Sequence, residues 1–274
     1  CEAEFALHQS GPGPNRRAER DQDAVSEQRS AQESAPTSGP TAQIFDLDSE
    51  GGDSQQMAGI ANIGEAEHWL IGAQEVRLLD GAVLGRGGFG VVVKAVFCGM
   101  LVAVKLPKAA LTQKAMRRLP ALVNELRVLR YLRHPNIVLI HGAIIDQDRR
   151  SIGLVLELLS GTTLDKYIKG GPDALRRYQV MMGLCRALVY MHSRRPHIVH
   201  GDIKSGNVMV EMVGGEACPK LLDFGLSRIL TRNPRPLGGT LTWAAPEVFK
   251  TRPGAVKCTA DMFSFGHLVA FVAT

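Results

Sequence analysis

The chain has 274 residues, of which 45% are hydrophobic and 22% charged, with a formal net charge of +5. That balance is ordinary for a soluble globular protein. The charges are scattered, with no Lys/Arg run long enough for a nucleic-acid tail, and no stretch of about 18 consecutive apolar residues suggests a membrane span.

The chain begins with Cys1 and shows no basic-then-apolar signal peptide. Its five cysteines (Cys1, Cys98, Cys185, Cys218, Cys258) are widely spaced and contain no C-x-x-C. A disulfide framework or zinc site is not expected, and a reducing compartment fits better. Residues 1–65 are rich in Ser, Gln, Gly and Pro. Their sparse apolar residues show neither helical nor strand period, so too little surface can be buried to offset the ordering entropy. This segment is predicted disordered, with a small apolar island at Ile44, Phe45 and Leu47.

The texture changes at Trp69. Val76 to Leu84 reads as a strand ending at a glycine turn. Val91 to Phe97 and Leu101 to Leu106 are Val-rich strands, with Cys98-Gly99 as a hairpin turn between them. Thr112 to Leu132 carries Met116, Leu119, Leu122, Leu126 and Leu129 at helical spacing, and Pro135 stops that helix. Ile137 to Ile145 and Ile152 to Leu158 read as two more strands. After Gly161 helices dominate: Leu164 to Lys169 with Thr163 as N-cap, then a long amphipathic helix over Ala174 to Ser193. Short apolar pieces follow at Val208 to Val210 and Leu221 to Leu222, then a Gly/Pro/Arg-rich loop from Gly225 to about Thr242. Ala260 to Val272 is apolar almost all round, as a helix in the middle of a domain is.

Five short motifs carry chemistry. G-R-G-G-F-G places Gly85, Gly87 and Gly90 between two strands. Glycines there allow close backbone approach to phosphate and offer N–H donors; an ordinary glycine-rich hairpin is the alternative. V-A-V-K puts Lys105 on the next strand but one, where it can act as a point charge toward phosphate. A buried Lys needs a carboxylate partner, and Glu125, with Leu129 rather than a cation four residues on, is the candidate. H-G-D-I-K-S-G-N runs from His200 to Asn207 and offers an Asp for a hydroxyl proton and an Asn for a metal. D-F-G at Asp223 to Gly225 offers an oxygen ligand suited to Mg²⁺. A-P-E closes the series at Ala245 to Glu247.

In this order and spacing the motifs resemble the signature set of the eukaryotic protein kinases. G-T-L-T-W-A-A-P-E and D-M-F-S-F-G resemble its tyrosine-kinase-like group of Ser/Thr kinases in particular. The resemblance implies an α+β, bilobal protein-kinase fold: an N-lobe with an antiparallel sheet plus one helix over about residues 70–159, and a mainly helical C-lobe over 160–274, truncated after its central helix. It implies ATP and Mg²⁺ as cofactors, protein substrates with Ser/Thr acceptors, no nucleic acid, and a cytoplasmic catalytic domain.

Residue by residue, it implies that Gly85, Gly87 and Gly90 cover the ATP phosphates. Val92, Ala103 and Met209 would sandwich the adenine, and Glu157 and Leu159 would bind its edge through the hinge backbone, with Leu156 behind as gatekeeper. Lys105 would hold the α- and β-phosphates and pair with Glu125. Asp202 would be the catalytic base, Lys204 would stabilise the transferring group, and Asn207 and Asp223 would bind Mg²⁺. His200, Phe224, Leu129 and Ile140 would stack as a regulatory spine tied to Asp261. Lys204, two residues after the Asp, is the Ser/Thr pattern.

Two departures stand out. Gly201 takes the place of the family's usual Arg, which normally receives an activation-loop phosphate. Activation-loop phosphorylation at Ser227, Thr231, Thr240 or Thr242 is therefore expected not to be strictly required, and Gly201 is expected to loosen the loop locally. The family's fold also continues past Thr274 by roughly 60 residues, on the scale of ordinary domains. Phe263, Phe265, Leu268, Val269 and Phe271 are then expected to face water. Two rivals stand beside an active kinase: a nucleotide-binding pseudokinase or scaffold, and an inactive truncated fragment.

Overall fold

The computed structural model describes residues 53–87, 90–107, 119–146, 151–230, 240, 242–249 and 257–274, all within one unit that spans 40–274. A five-stranded antiparallel sheet is built from β1 (Val76–Gly87), β2 (Gly90–Phe97), β3 (Met100–Leu106), β4 (Ile140–Asp146) and β5 (Ser151–Glu157), in the order β1-β2-β3-β5-β4. The β2–β3 turn is Cys98-Gly99, both at positive φ (48° and 77°), as a tight hairpin of this hand requires.

The strand period sorts side chains to two sides of this sheet. Val102, Val104 and Val155 enter one buried cluster with Val76 and Ala95. Ala103, Leu154 and Leu156 enter the main core with Leu122, Leu126 and Leu129 of α2 (Leu119–Leu129), the second helix, after α1 (Asp53–Ala66). Lys105 shares the parity of Ala103, so the strand itself turns its ammonium toward α2. On α2, Glu125 falls in the same stripe as Leu122 and Leu129, three and four residues away, and is 1% exposed. Of the predicted helix, residues 112–118 lie outside the described residues.

One expectation is corrected. The segment predicted disordered ends in a helix, α1 (Asp53–Ala66), whose Met57 and Ile60 are fully buried in the main core. Met57, Ile60 and Ala61 are spaced i, i+3, i+4, but one turn of that pattern among small and polar residues is too short to mark a helix in the sequence. Tertiary burial, not local propensity, holds the helix. Residues 1–52 lie outside the described residues. Trp69 to Ile71 then runs beside β4: Ile71 N donates to Ala143 O at 2.9 Å and Ala143 N to Trp69 O at 2.9 Å. Two glycines permit this approach. A Cβ on Gly142 would sit 2.3 Å from Trp69 O, and one on Gly64 would sit 2.8 Å from the Trp69 ring.

After β5 come β6 (Thr162–Thr163), α3 (Leu164–Lys169), α4 (Ala174–His192), β7 (Ile198–Val199), β8 (Val208–Val213), β9 (Glu216–Leu221), β10 (Arg228–Ile229) and α5 (Cys258–Ala273). Asp173 caps α4 by accepting from Arg176 N at 2.8 Å; Thr163 occupies the N-cap position of α3 without a side-chain bond. β6, β8 and β9 form one small sheet, and β7 pairs with β10. On α5, Phe263 and Val269 are exposed as expected, but Phe265 and Phe271 pack against the core and Leu268 is fully buried. No helix among the described residues is long and apolar enough to cross a membrane.

Candidate active site

Three residues far apart in sequence meet at one ammonium. Lys105 Nζ lies 2.5 Å from Glu125 Oε2 and 3.0 Å from Asp223 Oδ1. Burial opposes the charge on Lys105, but the two carboxylates outweigh it and hold the pKa above its ordinary value. Burial pushes Glu125 upward, against the pull of Lys105. A pair this well buried is held by geometry, since separating either partner strands a charge away from water. Asp223 has φ +61°, a conformation that L-residues rarely adopt and that the surroundings must enforce.

A second cluster forms on the loop between β7 and β8. Lys204 Nζ donates to Asp202 Oδ2 at 2.6 Å, and Asn207 Nδ2 donates to Asp202 O at 2.8 Å and to Oδ2 at 3.0 Å. Thr240 donates its hydroxyl to Asp202 Oδ1. Burial pushes the Asp202 carboxyl upward, but the bonds from Lys204 and Thr240 and the Lys204 charge outweigh it and leave the pKa below its ordinary value.

The loop is anchored from below by Asp261 of α5. Its Oδ2 accepts from His200 N at 2.8 Å, and its Oδ1 from Gly201 N at 2.9 Å. His192 Nε2 reaches the same Oδ2 at 2.9 Å. His200 sits edge-on to Phe224, with ring centroids 4.7 Å apart. Leu129, Ile140 and Phe224 are all buried in the main core, and His200 is fully buried. Gly201 takes φ +79° and is bonded at its N–H, so it is held in a turn that suits glycine rather than loosening the loop.

The remaining predicted positions follow from register. Val92 lies opposite Lys105, Ala103 opposite Leu156, and Val102 opposite Glu157. Met209, on β8, pairs with Thr163 and Lys220. Leu159 is half-buried just beyond β5. Gly85 has open space where a Cβ would be, whereas a Cβ on Gly90 would sit 2.0 Å from Leu106 O, so only glycine fits there. Gly87 closes the β1–β2 register against Gly90.

Sequence reasoning missed several contacts. The Glu157 side chain, at the end of β5, accepts from Lys220 Nζ at 2.7 and 2.8 Å and from Leu139 N at 2.7 Å. Asn124, next to Glu125, bonds the backbone after Asp223. Two of the four residues named as phosphate acceptors are already engaged. Ser227 is fully buried and donates to His200 O at 3.0 Å, and the Thr240 hydroxyl faces Asp202. Thr242 is exposed, and Thr231 lies outside the described residues.

A protein-family model described as "Protein kinase domain" matches residues 79–274. The chain belongs to the protein kinase domain family. It is 35% identical over 201 residues to the Serine/threonine-protein kinase CTR1 of Arabidopsis thaliana, covering 70% of this chain and 23% of that protein. It is 35% identical over 196 residues to the Probable serine/threonine-protein kinase SIS8 of the same plant, covering 69% of this chain and 18% of that protein. It is 33% identical over 199 residues to its PR5-like receptor kinase, covering 68% and 28%. The chain thus spans less than a third of the length of these relatives.

Proposed function

We propose that this kinase-family chain transfers the γ-phosphoryl group of ATP to a Ser or Thr hydroxyl of a protein substrate. The observation that carries the reading is Lys105 bridging Glu125 and Asp223, which assembles a cation, its support and an oxygen ligand at one point. In this reading Lys105 holds the α- and β-phosphates under the backbone of Gly85, Gly87 and Gly90. Val92, Ala103 and Met209 line the adenine, and the backbone at Glu157 and Leu159 binds its edge.

The donor set suits Mg²⁺. Asn207 uses its Nδ2 on Asp202, which leaves the amide oxygen for a ligand. Asp223 offers a carboxylate, and the residue before it is tied to Asn207 by Leu222 N donating to Asn207 O at 2.8 Å; hard oxygen donors are what Mg²⁺ selects. When bound, Mg²⁺ would neutralise phosphate charge. Asp202, kept ionised by Lys204 and Thr240, accepts the hydrogen bond of the substrate hydroxyl and aims its oxygen. Lys204 stands by with a positive charge for the transferring group. Positioning and charge neutralisation are the main needs of phosphoryl transfer. The Lys at position 204 and the names of the matched relatives support Ser/Thr over Tyr acceptors.

The test is transfer of radiolabelled phosphate from ATP to a generic Ser/Thr protein substrate, with Asp202→Ala as control. Transfer that Asp202→Ala abolishes is expected. Nucleotide binding with no transfer at any substrate concentration would sink the enzymatic reading in favour of a scaffold.

A further inference from the structure

We propose that Asn124 is a positioning residue for the Asp223 carboxylate, clamping the backbone that follows it onto α2. The inference rests on reading Asp223 as the Mg²⁺ ligand.

Asn124 Nδ2 lies 3.2 Å from Phe224 O, 3.1 Å from Gly225 O and 2.8 Å from Ser227 O. Its two hydrogens are shared among three carbonyls, all within four residues of Asp223. A side chain that only closed a turn would need one of them. The same stretch also runs close to α2 at Gly225, where a Cβ would sit 3.4 Å from the Ala121 Cβ.

Asp223 needs such a clamp. Its φ of +61° lies in the left-handed region, which Asp enters more readily than most residues but still at a cost that the neighbouring chain offsets. The Lys105 bond at 3.0 Å restrains the carboxylate, and Asn124 restrains the backbone just after it. The restraint extends further: Ser227 N donates to Phe224 O at 3.0 Å, Ser227 Oγ donates to His200 O at 3.0 Å, and Asp202 N donates to His200 Nδ1 at 3.2 Å.

The consequence is coupling by adjacency. Glu125 holds Lys105 and Asn124 holds the residues after Asp223, and the two are neighbours on one rigid helix. If α2 moves, the ion pair and the metal-ligand conformation are lost together. An amide suits this place because it donates twice; a carboxylate there would face three carbonyl oxygens with nothing to donate.

The experiment uses the full 274-residue chain with a fluorescent ADP analogue, titrated with Mg²⁺, for the parent chain, Asn124→Ala, Asn124→Asp and Asp223→Asn. Asn124→Ala is expected to melt a few degrees lower, because the carbonyls it serves lose their donor, and to keep its Mg²⁺-free nucleotide affinity. Its half-saturating Mg²⁺ concentration should rise about ten- to a hundredfold, as when a support of a metal ligand is removed. Asn124→Asp should rise further. Should the alanine variant not fold, Asn124→Ser, which retains one donor, is read in its place with a smaller rise expected. An unchanged Mg²⁺ requirement in the Asn124 variants, with a raised one in Asp223→Asn, would overturn the clamp. So would an affinity loss equal with and without Mg²⁺, which marks a purely structural role. No Mg²⁺ effect in Asp223→Asn would instead remove the metal-ligand reading beneath it.

Discussion

The Thr240 hydroxyl donates to Asp202 Oδ1 at 2.8 Å and accepts from Lys204 Nζ at 2.8 Å, so it joins the carboxylate to its neighbouring cation. Thr240 is 38 residues from Asp202 in sequence, so only the fold brings its hydroxyl to that carboxylate.

Thr240→Val keeps the shape and removes the donor. The lost bond to an ionised group lowers kcat roughly tenfold. The pH profile shifts in a defined direction. In the proposed reading Asp202 acts as a carboxylate, so activity is expected to fall as pH drops through its pKa. Removing a bond that lowers that pKa moves the acid limb toward neutral pH. The kcat/KM profile of Thr240→Val against that of Thr240→Ser measures it; coincident acid limbs would show that Thr240 does not tune Asp202.

Lys105→Met leaves Glu125, with a side chain only 2% exposed, without its ammonium. Breaking a buried pair from one side costs about 3–5 kcal/mol. Lys105→Met with Glu125→Leu should recover part of that loss, because the fully buried carboxylate is gone and Asp223, which also loses its ammonium, is partly exposed to water. Chemical denaturation of the parent, single and double variants gives the cycle, and strict additivity would count against the pair.

At Gly201, φ +79° makes any side chain unfavourable. Gly201→Ala is expected to lose about 1–2 kcal/mol, the price of placing an L-residue in the left-handed region. Denaturant midpoints measure it. A neutral or stabilising substitution would mean that the loop takes another conformation in solution.

Ile60→Ala tests the helix that precedes the sheet. Ile60 is fully buried, and truncating such a side chain typically costs about 2–5 kcal/mol. Gly142→Ala probes the neighbouring contact, since a Cβ would press on Trp69 O at 2.3 Å; about 1–3 kcal/mol is expected for overpacking there. Thermal melts of both variants check the two figures, and wild-type melts would show that Asp53–Ala66 and the Trp69 segment do not dock.

Much of the molecule was legible along the chain because its signals are local. Val-rich runs marked β2 and β3, and helical spacing marked α4 and α2. Glycines and the motif residues named Lys105, Asp202, Asn207 and Asp223 at their own positions. The helix at Asp53–Ala66 was not legible, because its order depends on where Met57 and Ile60 are buried. Asn124 and Lys220 were missed for a related reason. A polar side chain on a helix or strand carries no local sign of its partner, and theirs lie 100 and 63 residues away.

By itself, the sequence determined which atoms the site contains: an ammonium, carboxylates, an amide and glycines, with strand and helix periods that aim Lys105 and Glu125 at the same space. Only the tertiary structure decided which of these atoms meet. It set Lys105 on both Glu125 and Asp223, engaged Thr240 and Ser227 in bonds, and held Gly201 in a left-handed turn on Asp261. The physical reason is that hydrogen bonds and ion pairs act over about 3 Å in space whatever the separation in sequence, and only packing sets that distance.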